Sequence, residues 1–246
     1  MINVLIFNEF SHEKQWEALR KPYPNYIHGA LKAAVEDEDV NVKCVTLEDE
    51  DCGITDEVLS QTDVLMWWGH ALHHLVPDHV VDRIQKAVLN GMGFIALHSA
   101  HVSKPLIRLL GTSCTLKWRD NDRERVWITS PSHPIAAGLP EYFELPQEEM
   151  YGEYFDIPTP DEVVFMGWFA GGELFRSGCT WRRGLGKIFY FQPGHEEYPI
   201  YYNEYVVKIL KNAVRWAAPS KRIEGFICPN ACLLYTSPSP RDRQKS

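Results

Sequence analysis

The sequence predicts an α/β protein built on a doubly wound, mostly parallel sheet with helices on both faces. Three observations predict it. Strand-like and helix-like segments alternate through the first half of the chain, the pattern of parallel strands joined by crossover helices. The best-defined strand, Phe94–Leu97, is an apolar run without polar alternation, as expected for a central strand covered on both faces. Polar residues follow several strands at once, and the carboxyl edge of an open α/β sheet is where ligands bind.

In chain order, Asn3–Phe7 reads as the first strand, leading into Asn8, Glu9 and His12. Tyr26–Val35 has helical spacing, with Ile27, Ala30, Leu31 and Ala34 on one face and His28 near its start. Val40–Leu47 alternates as a second strand and leaves through acidic residues; Leu59 closes a short helix. Val64–Trp68 is a third strand tipped by Gly69 and His70. Pro77–Leu89 is amphipathic: Pro77 suits a first turn, Val80, Val81, Ile84, Ala87 and Val88 form the stripe, and Asn90-Gly91 ends it. The central strand then delivers His98, Ser99 and His101. After a short helix at Pro105–Leu110 the pattern changes. Arg119–Arg125 reads as a charged loop, Arg125–Ile128 as a strand, and Phe143–Phe155 as mixed polar and aromatic sequence. Val163–Phe169, Cys179–Arg182 and Lys187–Gln192 read as further strands, some antiparallel and at the edge. Tyr201–Ala217 is the last long helix.

The body is expected to be one domain, 1–218, followed by a non-native or disordered tail, 219–246. Within that tail, Cys232–Asp242 has no periodicity and resembles a translated sequencing adapter. The chain of 246 residues is 45% hydrophobic, enough to fill a core. A formal net charge of -8 argues against nucleic acid or an anionic membrane as partner. No apolar run approaches spanning length, and the N-terminus lacks signal-peptide features. The 6 cysteines are scattered without a C-x-x-C pair, which fits reduced thiols and a cytoplasmic location.

If the sheet is parallel, the strand ends share one edge. Asn8, His12, His70, His98, Ser99, His101 and the late Gly194-His195-Glu196-Glu197 segment then converge. Imidazole exchanges protons near neutral pH, and an adjacent carboxylate fixes its tautomer. Imidazoles and carboxylates are also ordinary zinc ligands, so His70, His98, His101 and His195 are candidates for a divalent metal, although no H-E-x-x-H spacing occurs. The strand-to-helix elbow carries His98 where a nucleophilic Ser or Cys would stand, and there is no G-x-S-x-G. Gly91-x-Gly93 precedes its strand and is no dinucleotide fingerprint. Most of the tryptophans are expected in the core; one or two near the carboxyl edge would offer a flat face to a sugar ring.

Trp67-Trp68-Gly69-His70, Gly93–Ala100, His133-Pro134-Ile135 with Gly138-Leu139, Glu149-Met150-Tyr151, and Gly194-His195-Glu196 are spread over residues 1–218. Together these motifs resemble the ThuA-like family, named for trehalose utilisation. The resemblance implies the flavodoxin-like fold of class I glutamine amidotransferases. It departs from that superfamily at the elbow, where His98 replaces the nucleophilic cysteine, so glutamine hydrolysis is not expected. It implies work on a keto-sugar or 3-keto-disaccharide by acid/base chemistry, elimination or isomerisation. Catalytic roles are expected for His98, His195 and Glu196, with His98 or His195 as the base. Substrate contacts are expected from Asn8, His12, His28, His70, Ser99, His101, Glu149 and Tyr151. The alternatives are a non-catalytic sugar-binding or regulatory module, paired with an oxidoreductase or with further copies of the chain, and a metal-dependent hydrolase.

Overall fold

The structure is a computed structural model and describes residues 1–225. The adapter-like segment lies outside the described residues. Among the described residues, nine strands form one sheet: β1 (Ile2–Asn8), β2 (Val40–Thr46), β3 (Val64–Trp68), β4 (Gly93–Leu97), β5 (Lys117–Ile128), β6 (Tyr142–Gly152), β7 (Glu162–Phe169), β8 (Leu174–Arg183) and β9 (Gly186–Phe191). The α-helices among them are α1 (Ser11–Gln15), α2 (Tyr26–Val35), α3 (Asp56–Gln61), α4 (Asp78–Leu89), α5 (Lys104–Leu110) and α6 (Glu204–Ala217). The strand order is β2-β1-β3-β4-β9-β8-β7-β5-β6.

The expectation of a mostly parallel sheet is corrected. The pairs from β2 across to β9 are parallel, whereas β9-β8, β8-β7, β7-β5 and β5-β6 are antiparallel. Connection length explains the split. Long helical crossovers return the chain in the same direction, while the short turns joining β7 to β8 and β8 to β9 can only reverse it. Lys187–Gln192, read as one of the late strands, forms β9, the seam between the halves. It runs parallel to β4 on one side and antiparallel to β8 on the other.

Helices cover both faces. Val4 and Ile6 of β1 pack with Ile27 and Leu31 of α2 and Ile209 and Leu210 of α6. Leu5 and Phe7 point the opposite way, toward Leu59 of α3, Val80 and Ile84 of α4 and Leu106 of α5. This period-two division of an all-apolar strand is why the sequence lacks polar alternation. At Gly93 the carbonyl of Ala217 lies 2.6 Å from where a Cβ would stand, so α6 crosses β4 at backbone contact. Burying the stripe of Val80, Val81, Ile84 and Val88 holds α4; each such side chain contributes about 1.5–3 kcal/mol.

The charged loop expected at Arg119–Arg125 lies instead within β5, and the mixed segment beginning at Phe143 is strand β6. Both strands are half-exposed, so their polar faces disguise them. Arg125 stands opposite Glu144, with Nη2 to Oε1 at 2.6 Å, a cross-strand charge pair of the kind that stabilises an exposed ribbon. Register shifts between Arg119 and Asp122 and between Asp122 and Glu124 bend this ribbon. Past α6, Arg222 donates to the carbonyls of Ser60 and Thr62.

Candidate functional site

The polar cluster lies at the carboxyl ends of β3, β4 and β9, around a cavity of about 840 Å³. Strand β4 stops where His98 takes φ 52°, a left-handed conformation rare for a side chain of this size. That turn makes the elbow, and the 3-10 turn His98–Val102 follows from it. The His98 ring is fully buried behind the cavity wall, so it reaches the cavity only through its neighbours. Its Nδ1–H donates to the Gln192 carbonyl at 2.8 Å, and the Tyr190 hydroxyl donates to its backbone carbonyl at 3.2 Å. Its Nε2 faces Glu149 Oε2 at 3.1 Å and the Tyr151 hydroxyl at 3.5 Å.

With Nδ1–H committed to a carbonyl, a proton between His98 Nε2 and Glu149 makes the ring an imidazolium. Burial alone would push the ring's pKa down. The carboxylates of Glu149, Glu148 and Glu196 outweigh it and raise the value to about 9. Glu149 moves the other way: burial would raise it, and the His98 charge holds it below the usual carboxylate range. His101, on the same turn, bonds no carboxylate, and Glu149 raises its pKa only weakly. Its Nδ1–H donates to the Cys114 carbonyl at 2.7 Å, and burial lowers its pKa to about 4.

Two buried carboxylates, each accepting from backbone N–H groups, hold the loops in place. Glu9, at the tip of β1, accepts from His70 at 2.8 Å, Ala71 at 3.1 Å and Leu72 at 2.9 Å, which fixes the loop after β3. Glu148, on β6, accepts from Gly194 at 2.9 Å, His195 at 3.1 Å and Glu149 at 2.9 Å. Burial raises the Glu148 pKa to about 7. Gly194 has φ 148°, and a Cβ there would collide with the Tyr201 hydroxyl, so this loop requires glycine.

The result is one cluster from distant stretches of chain. The His98 and His195 rings are 5.4 Å apart, and those of His70 and His195 are 6.3 Å apart. His70 Nδ1 lies 3.4 Å from both Glu196 Oε1 and Ser99 Oγ, so a carboxylate and a hydroxyl orient the ring. Burial, then the nearby His98 charge, lowers the His70 pKa, so the ring is neutral at pH 7. Ser99 Oγ is 3.1 Å from the Tyr151 hydroxyl. Burial raises the Tyr151 pKa well above its ordinary value, leaving a neutral phenol able to donate.

Of the residues expected from the sequence, His70, Ser99, His101, Glu149, Tyr151, His195 and Glu196 line the cavity. Asn8 and His28 do not. Asn8 is buried, and its amide donates to Glu13 and to His28 Nδ1, the latter at 3.0 Å. His28 packs its ring near Phe10 and Tyr26. His12 belongs to α1, and its side chain lies outside the described residues. The structure adds Glu148, Gln192 and Glu13, whose pKa burial raises to about 7. Glu9, read from the sequence at the tip of the first strand, anchors the loop after β3 instead of lining the cavity. Glu148 had no signal without recognition of β6.

Ligating atoms of His98, His195 and Glu196 lie within 4.8 Å of one another, as do those of Asp120, Glu149 and His195. The hydrogen bonds do not fit a divalent cation at either set. His195 Nδ1 accepts the Glu197 N–H at 3.2 Å, which leaves the proton of the neutral ring on Nε2 and no lone pair for a metal. His98 Nε2 is engaged with Glu149.

Fold and cavity together define a class: a mixed α/β protein whose strand-end cavity is walled by imidazoles and carboxylates, with a histidine at the elbow. A family model described as ThuA, trehalose utilisation, matches residues 3–217, and the chain belongs to that family. Solved structures agree at the level of fold. A thua-like protein from Parabacteroides merdae ATCC 43184 superposes with TM-score 0.67 at 16% identity, covering 92% of each chain. One from Bacteroides uniformis ATCC 8492 gives 0.62 at 16% identity, over 89% of this chain and 92% of that one. A protein described as cytoplasmic, from Salmonella typhimurium LT2, gives 0.60 at 12% identity, over 89% of this chain and 100% of that one. No curated protein sequence matches. Among the described residues, no helix is long and apolar enough to cross a membrane.

Proposed function

We propose that this protein is a cytoplasmic enzyme of disaccharide utilisation that performs proton transfer on a 3-keto-sugar, on a flavodoxin-like scaffold related to that of the class I glutamine amidotransferases. One observation carries the reading: a neutral imidazole oriented by a carboxylate, His70 with Glu196, shares a cavity with a neutral phenol set beside a buried imidazolium, Tyr151 with His98. Groups whose environments drive their pKa values apart divide the acid and base roles.

A carbonyl at C3 acidifies the hydrogen on C2. The neutral His70 ring takes that proton, and the C–H electron pair forms a C2=C3 enediolate with its charge on O3. The Tyr151 O–H donates to that oxygen, and the His98 charge behind it lowers the energy of the anion. The enediolate re-forms the C3 carbonyl as the C1–O bond breaks, giving a C1=C2 enone. The departing alcohol carries away the proton that His70 took. Reprotonation at C2 from the other face gives an isomer instead. The sequence points to His98 or His195 as base; the hydrogen bonds favour His70, with His98 as a positioning residue that charges the site and His195 as a donor through Nε2.

The test is incubation with a 3-keto-disaccharide and with the unoxidised sugar, with and without chelator, followed by product analysis. Turnover of the keto-sugar is expected to survive the chelator. His70→Ala is expected to lower kcat by about 10³-fold, within the range for loss of a general base, and Tyr151→Phe by about 10². Saturable binding without turnover, or wild-type turnover in both variants, would overturn the mechanism.

A further inference from the structure

We infer that the site has a second activity: it adds water to the enone that the elimination leaves, with Asp120 as the base that activates the water. The inference rests on the proton-transfer reading above and adds the fate of its product.

Strand register carries Asp120 to the cavity. Arg119 pairs with Met150 and Asp122 with Glu148, so two residues of β5, Asp120 and Asn121, oppose one of β6, Glu149. That count defines a β-bulge, a device that re-aims a side chain beside an active site. Asn121 takes φ 56°, a left-handed conformation that asparagine adopts more readily than most residues. Side chains brace the bulge. Arg119 pairs with Asp122 across it and with Glu173 at 2.5 Å, the Asp122 carboxylate accepts the Ala170 N–H at 3.2 Å, and Gln147 Nε2 donates to Asn121 Oδ1 at 3.3 Å.

Asp120 itself makes no hydrogen bond or ion pair among the described residues. It lines the cavity, is exposed at its mouth, and has a carboxylate oxygen within 4.8 Å of Glu149 and His195. The neighbouring groups are committed elsewhere. Glu149 holds His98 at 3.1 Å and Glu196 faces His70 at 3.4 Å. His195 Nδ1 accepts the Glu197 N–H, so its Nε2 carries the proton and donates. Glu197 also lines the cavity, but its carboxylate joins no such 4.8 Å set. Asp120 is therefore the acceptor left for a water that enters at the mouth.

The enone C1=C2–C3=O is electrophilic at C1, the carbon that the alcohol has left. Asp120 takes one proton of the entering water as the water oxygen bonds to C1. The C1=C2 electron pair moves to C2=C3 and the charge returns to O3, where Tyr151 donates as it does in the elimination. His70, protonated from solvent, delivers a proton to C2, and the C3 carbonyl re-forms. Asp120 releases its proton to solvent, so the sum is H on C2 and OH on C1. One set of groups serves both steps because this addition is the elimination reversed, with water in place of the alcohol.

Two substrates separate the steps: a 3-keto-disaccharide and the isolated enone, each incubated with the full chain and followed by product analysis. Wild type is expected to hydrate the enone to the 3-keto-monosaccharide faster than buffer does. Asp120→Asn is expected to slow that hydration about 10²-fold and to raise the ratio of enone to hydrated sugar formed from the keto-disaccharide about tenfold or more. In Asp120→Ala, added acetate is expected to restore hydration in proportion to its concentration, a rescue that a merely structural role would not show. Enone left by wild type at its buffer rate, or hydrated equally by wild type and Asp120→Asn, would overturn the second activity; continued consumption of the keto-disaccharide would then leave the elimination standing. Hydration of the enone without consumption of the keto-disaccharide would instead overturn the elimination and leave this activity in place.

Discussion

The two halves of the sheet contribute different things to the cavity. The parallel half, from β2 to β9, places imidazoles: His70 follows β3, His98 and His101 follow β4, and His195 follows β9. The antiparallel half sets their charge. Glu148, Glu149 and Tyr151 all come from β6, the far edge strand, on the ribbon that the register shifts in β5 bend. His98 and His101 make the contrast sharpest. They share one 3-10 turn, yet β6 carboxylates raise the first to about 9 while burial lowers the second to about 4. A histidine's role is therefore decided less by its own strand than by what the other half of the sheet brings to it.

The most severe way to break this division is to remove the cation that β6 faces. His98→Ala leaves Glu149 buried beside no positive charge. Loss of one partner of a buried pair costs about 3–5 kcal/mol. At roughly 2–4 °C per kcal/mol for a chain of this size, Tm is expected to fall by on the order of 10 °C in calorimetry. A change under about 2 °C would mean that the pair across the two halves contributes little.

Titration separates the two histidines without mutation. His98 is raised in the folded state from 6.5, so its contribution to stability is complete below about pH 6.5 and is lost as pH rises through about 9. His101 is depressed, so its contribution is complete above about pH 6.5 and is lost as pH falls toward about 4. Denaturation measured across this range is expected to lose stability at both ends; His98→Ala is expected to abolish the alkaline loss that His98 carries and the acid loss of the Glu149 it depresses, leaving the acid loss of His101. Turnover follows related limits. It is expected to fall on the acid side once His70, depressed below 6.5, gains a proton, and on the alkaline side near pH 9 as His98 loses one.

The smallest effect is expected on the outer face of the ribbon. Arg125 lies over the rings of Tyr142 at 4.6 Å, Trp168 at 5.4 Å and Trp127 at 5.5 Å. Arg125→Ala is expected to cost about 1 kcal/mol in denaturant unfolding, with kcat on the keto-sugar unchanged. A loss of turnover would mean that the ribbon's outer face, and not only its β6 carboxylates, governs the site.

How much of this was legible before the structure depends on how each element meets water. Phe94–Leu97 and Val64–Trp68 are buried on both faces, so composition alone marks them as strands, and their tips identify His70, His98 and Ser99. The β5–β6 ribbon keeps one face in solvent, and its charged residues conceal it. Glu149 and Tyr151 entered through family resemblance rather than through any strand signal. Asn8 and His28 stand near the expected edge yet turn into a local hydrogen-bond network with Glu13, because a buried amide must satisfy its own donors first.

The sequence by itself determined the parallel half, the carboxyl edge where its polar tips collect, and the family, because local hydrophobic runs and short motifs are properties of neighbouring residues. Only the tertiary structure decided which imidazole is charged, which carboxylate orients which ring, and that a bulge in β5 carries Asp120 to the cavity. Those outcomes depend on burial and on distances between residues far apart along the chain, and neither quantity exists until the sheet has closed around them.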